Sequence, residues 1–143
     1  MNATGYSAWT GPWKTGSGTL STHGDTLKQA PYSYASRFED APGASPEELL
    51  AAAHAGCFNQ ALANNFGMVE FVAESISTSV SIELGTGADG HPAIKGVHVV
   101  TKARVPGITQ ERFHYCAERA RTNCTLAKLF KLDVTMQAAL LDA

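Results

Sequence analysis

The chain has 143 residues, 44% of them apolar and 17% charged, with 11 Lys and Arg against 13 Asp and Glu. That length fits a single domain over residues 1–143, and a chain of about 150 residues buries roughly 68–70% of its unfolded surface, so neither disulfides nor a metal is needed to hold it together. A net charge of −2 excludes the cation excess that a nucleic-acid partner requires and the charge density of an acidic disordered tail.

No stretch approaches the ~18 consecutive apolar residues of a membrane span, and the N-terminal region lacks the basic start and apolar core of a signal peptide. A cytoplasmic protein without membrane contact is expected. Three cysteines are an odd number at low density, which points to free, catalytic or redox-sensing thiols and away from a disulfide framework.

From Ala3 to Glu39 the chain is rich in Gly, Ser, Thr and aromatics. Turn signals at Thr10-Gly11-Pro12, Thr15-Gly16 and His23-Gly24-Asp25 predict short strands near 4–10, 17–22 and 25–30. The loop Asp40-Ala41-Pro42-Gly43-Ala44 leads into Ser45-Pro46-Glu47-Glu48, which reads as a helix start. Ser45 is the N-cap, Pro46 stands where its missing N–H is harmless, and Glu48 closes a capping box. The helix is predicted to run to about Phe66, with Gly67 as its stop. From Leu49 to Phe58 it carries no permanently charged side chain. A helix that is small and apolar all round must be enclosed on most sides, so a second subunit is expected to cover part of it.

Glu74–Leu84 alternates, with Ile76, Thr78, Val80, Ile82 and Leu84 on one face and serines opposite, the pattern of a strand with one buried side. Gly85–Gly90 turns the chain into a partner strand, Ile94–Val105, which Pro106-Gly107 ends. A helix follows over Gln110–Arg121, capped by Thr109, with Phe113, Cys116, Ala117 and Ala120 facing inward. Thr122-Asn123 is expected to break it before a short helix, Cys124–Phe130, and a last strand lies near Leu132–Leu140. Segregated strands and helices fit an α+β layer fold.

Cys57 stands about twelve residues past the N-cap, beyond reach of the helix-terminal field, among apolar neighbours. There it is either a small buried hydrophobe or a thiol that needs a cation brought from elsewhere, such as Arg37. Asn123, as cap of a short helix, would put Cys124 at the first position of that helix, where a thiolate is stabilised. Local physics thus nominates Cys124 as the more acidic thiol, with a core contact as the alternative. Cys116 belongs to an inward stripe and is read as structural. His54 and Cys57, three residues apart, lack the partners of a zinc site, which normally takes four ligands. His54 is read as a polar residue packed on its helix, with chemistry secondary.

Arg37-Phe38-Glu39, the run from Ser45-Pro46-Glu47-Glu48 to His54-Ala55-Gly56-Cys57-Phe58, Ala103-Arg104-Val105-Pro106-Gly107-Ile108 and the second cysteine at Cys124 resemble the OsmC/Ohr family, closer to its OsmC branch. The resemblance implies an α+β intertwined homodimer, with antiparallel sheets around long central helices and active sites drawing on both chains. It implies a thiol-dependent peroxidase that reduces organic hydroperoxides in oxidative or osmotic stress, without metal or other cofactor, reset by an external dithiol. By the same resemblance Cys57 is the peroxidatic cysteine, Cys124 the resolving one, and Arg37 and Glu47 the polar pair beside Cys57. Phe58 and Phe66 are expected to line an apolar pocket. The family commonly has Pro after the resolving cysteine, where Thr125 stands here. The alternative is a non-enzymatic redox-sensing or ligand-binding module of the same fold.

Overall fold

The computed structural model describes residues 1–142, which form two compact units, Met1–Leu49 and the chain from Leu50 onward. In the first, β1 (Gly5–Thr10), β2 (Ser17–Thr22) and β3 (Ala30–Tyr32) make an antiparallel sheet in that order. The third strand begins later than its predicted position at 25–30. Asp25 and Gln29 adopt left-handed backbone, at φ 58° and 49°, which a strand does not accommodate. Instead, Thr22 Oγ1 and Ser21 Oγ accept from the N–H groups of Leu27 and Gln29 and hold residues 23–29 as a loop.

A short helix that periodicity does not announce, α1 (Tyr34–Phe38), follows β3. It exists through its cap: Ser33 Oγ accepts from Ser36 N–H, and Ser36 Oγ accepts from Ser33 N–H, a reciprocal capping box. Ser36 Oγ also donates to the Ala44 carbonyl, at 2.7 Å. The loop after α1 is thereby pinned against its own helix.

The predicted helix start is present. Helix α2 spans Pro46–Met68, with Ser45 Oγ accepting from Glu48 N–H at 3.0 Å. Its end differs from the expectation, because Gly67 lies inside the helix. The reversal is made by Glu70, left-handed at φ 65°, and by the Phe66 carbonyl, which accepts from both Val69 and Phe71.

In the second unit, β4 (Ser75–Thr86) pairs antiparallel with β5 (Pro92–Arg104), and α3 (Gln110–Asn123) and a 3₁₀ turn (Ala127–Leu129) lead to β6 (Val134–Leu140). The alternation read in β4 is observed, its even-numbered residues from Ile76 to Leu84 half-buried and the residues between them exposed. Strand β6 pairs parallel with β5, Val134 opposite Val97. This corrects the expectation of purely antiparallel sheets, since β5 is central in a mixed sheet ordered β4-β5-β6. A parallel partner needs a crossover, and α3 supplies it.

The core joins Phe58, Leu62 and Phe66 of α2, Val97, Val99 and Ala103 of β5, and Phe113, Cys116, Ala117 and Ala120 of α3, the four residues of the predicted inward stripe. Fixing the register of α2 on the sheet falls to polar contacts: Thr78 Oγ1 donates to Asn59 Oδ1 at 2.6 Å and lies 2.8 Å from Thr101 Oγ1. Among the described residues, no helix is long and apolar enough to cross a membrane.

Candidate active site

Arg37 and Glu47, named together from the sequence, meet in the first unit. Arg37 is the fourth residue of α1, and Glu47 lies in the first turn of α2. Arg37 Nε and Nη2 both donate to Glu47 Oε1, at 2.9 and 2.7 Å. Two charge-assisted bonds to one carboxylate fix the plane of the guanidinium. Glu47 Oε2 is buried without a partner, and Arg37 Nη1 makes no hydrogen bond among the described residues. The Arg37 guanidinium also lies over the Phe38 ring, 4.8 Å from its centre.

Around Arg37 is a feature that sequence reading missed, a cleft of about 320 Å³ lined by Trp9, Trp13, Tyr32, Tyr34 and Phe38. Trp13 packs edge-on against Tyr34 with ring centres 5.0 Å apart, and Trp9 lies 5.4 Å from Tyr32. The signal was the aromatic density before Glu39. The lining expected from Phe58 and Phe66 is not found, because both rings are 0% exposed in the core of the second unit.

The other two predicted site residues, Cys57 and Cys124, meet in the second unit. Cys57 is half-buried on α2, and Cys124 is 2% exposed. Neither is in a disulfide. Burial pushes the Cys124 thiol above its ordinary value, and the charge of Cys57 and a hydrogen bond with its side chain push it the same way. The Cys124 sulfur is opposed in this by the Ala127 N–H, which donates to it at 3.4 Å.

The prediction that Cys124 opens a helix is overturned, and with it the reason for reading this thiol as acidic, since burial raises its pKa. Helix α3 continues through Thr122 and Asn123, so Cys124 is its C-cap, donating its N–H to the Ala120 carbonyl. The Asn123 side chain bonds Thr122 Oγ1 and caps nothing. Cys124 itself accepts from the N–H three residues on, the spacing of an N-cap, and from that of Leu126, but its burial outweighs both donors. Its backbone, at φ −61° and ψ 147°, is the extended form that a following proline would impose. Thr125 therefore leaves the local geometry intact.

Cys116 is 0% exposed, donates to the Asn65 carbonyl at 3.6 Å and is raised in pKa by burial, as befits a packing residue. His54 is also fully buried, its ring stacked on Phe130.

A family model described as OsmC-like protein matches residues 38–138. The chain is 36% identical over 132 residues, 92% of each partner, to proteins named Peroxiredoxin OsmC from Escherichia coli and Shigella flexneri. Its fold is similar to the crystal structure of the organic hydroperoxide resistance protein OhrB of Bacillus subtilis, with TM-score 0.72 and 20% identity over 96% of this chain and 98% of that one. It is likewise similar to an OsmC-like protein from Mycoplasma pneumoniae, with TM-score 0.75 and 12% identity over 99% of each chain.

Proposed function

Because the chain belongs to the OsmC-like protein family, we propose that it is a cysteine-based peroxidase for organic hydroperoxides in which Cys57 attacks the peroxide, Cys124 resolves the product, and Arg37, held by Glu47, is the cation of the site. The observation that carries the thiol assignment is the meeting of a half-buried Cys57 with a buried Cys124, both unoxidised. One thiol is open to a substrate, and the other is kept from it.

In this reading the Cys57 thiolate attacks the outer oxygen of R–O–O–H. The O–O bond breaks, the alcohol leaves after taking up a proton, and Cys57 becomes a sulfenic acid. Cys124 then displaces the hydroxyl as water and an S–S bond forms; an external dithiol returns both thiols by exchange and is itself oxidised. Arg37 Nη1 is the uncommitted donor that serves the thiolate, and the aromatic cleft beside Arg37 receives the organic group R. Residues 1–143 are read as one OsmC-like domain, in keeping with the family match over 38–138.

The working form is a homodimer. What supports this is the surface of α2, which has no Asp, Glu, Lys or Arg from Leu49 to Met68 and leaves Ala52, Ala53, Gly56, Ala63 and Gly67 exposed. A side chain added at Gly56 or Gly67 would meet nothing, so this face has room for another helix. Sedimentation at micromolar concentration is expected to give a dimer; a monomer refutes this element.

The main test is intact mass after one equivalent of cumene hydroperoxide. The wild type loses two hydrogens, while Cys57→Ser and Cys124→Ser do not, and dithiol-driven turnover follows. An unchanged wild-type mass would sink the peroxidase reading.

A further inference from the structure

His54 is 0% exposed, and neither ring nitrogen has a hydrogen-bond partner. Leaving one such group unpaired costs about 1–3 kcal/mol, a cost that Phe or Leu would not incur. The ring stacks on Phe130, with centres 5.5 Å apart and planes at 30°. It thus bridges the two segments that bring the thiols together. On α2, Cys57 follows one turn after His54; on the other segment, the stretch that ends at Phe130 begins at Cys124.

Among the described residues the buried polar side chains are Ser36, His54 and Thr101, so His54 is the one base among them. Cys124 is the group in this layer that must lose a proton before it can attack. Water scarcely reaches it at 2% exposure, and the Ala127 N–H on its sulfur is a donor that cannot accept the proton.

We propose that His54 takes the Cys124 thiol proton during disulfide formation and delivers it to the hydroxide leaving Cys57. The inference rests on the peroxidase reading above. Cys57–SOH and Cys124–SH give the disulfide and water: the S–S bond forms, the S–O bond breaks, and the imidazole is neutral before and after. Burial alone lowers the His54 pKa from its ordinary 6.5, so the ring is in its accepting form at neutral pH. The titratable groups on the two segments it bridges are Cys57, with Glu47 and Glu48 in the first turn of α2, and Cys124 and the exposed Lys128.

The test is a single turnover with cumene hydroperoxide, following sulfenic acid by dimedone trapping and disulfide by mass. His54→Phe keeps the stack on Phe130 and removes the base. Sulfenic acid is expected to form within about twofold of the wild-type rate, while disulfide formation slows by about a hundredfold or more. The wild-type disulfide rate levels off above pH 6.5, the ordinary His value, whereas the variant rate keeps rising through the ordinary thiol value of 9.0, above which the Cys124 thiol lies. Disulfide formation at the wild-type rate in the variant overturns the proposal; absence of sulfenic acid in the wild type overturns the peroxidase reading instead. If the variant does not fold, a wild-type rate that still climbs from neutral pH to the thiol value overturns the proposal on its own.

Discussion

Arg37 is 34% exposed and Glu47 13%, so their pair is neither a solvent-screened surface contact nor a fully desolvated one. Its value lies in orientation: both bonds fall on one oxygen and leave the remaining guanidinium nitrogen free to donate. On the role proposed for Arg37, a fixed cation that stabilises charge in the attack on the peroxide, Arg37→Ala is expected to slow cumene hydroperoxide oxidation of Cys57 by about tenfold or more; an unchanged rate would remove Arg37 from the site. The neutral, buried His54 gives a second prediction, in stability. Its folded pKa lies below 6.5, so on acidification the unfolded chain takes up a proton first. Stability is full above pH 6.5 and falls as pH drops below it, until the folded ring also protonates. His54→Phe removes this contribution, and urea unfolding across that range reads it directly.

Helix α2 ends on a glutamate in a glycine's conformation. Left-handed backbone costs a residue with a Cβ roughly 1–2 kcal/mol, and Glu70 holds it at φ 65°. Glu70→Gly is expected to raise unfolding stability by about 1 kcal/mol, and an unchanged or lower midpoint would show that the Glu70 side chain compensates. Strong periodicity made β4, β5 and the inward stripe of α3 readable, because one face of each packs on the core. Features without a period depend on single bonds or on distant partners. Helix α1 rests on Ser33 and Ser36, the late start of β3 on two left-handed residues, and the parallel placement of β6 on a strand more than thirty positions away. At the site, Cys57 was visible as an anomaly within an uncharged helix. Arg37 and Glu47 are ten positions apart across an irregular loop, with no period to link them. The acidity of Cys124 turns on its burial, which residues distant in sequence impose and no local pattern announces.

At the scale of the molecule, the mixed sheet places β5 between a hairpin partner and a crossover partner, and the crossover carries Cys124. Oxidation would thus tie α2 to the connection between β5 and β6 and close a loop of about 70 residues in the unfolded chain. In the chain-entropy account such a closure is worth about 4 kcal/mol, or a rise in melting temperature of roughly 10 °C for a protein of this size. A calorimetric scan of the oxidised and reduced forms checks this, and equal melting temperatures would mean that native strain cancels the gain. If the gain is realised, the protein's own heat resistance becomes a record of its redox state: it is sturdiest just after consuming a peroxide, and each visit from the reductant returns it to its looser form.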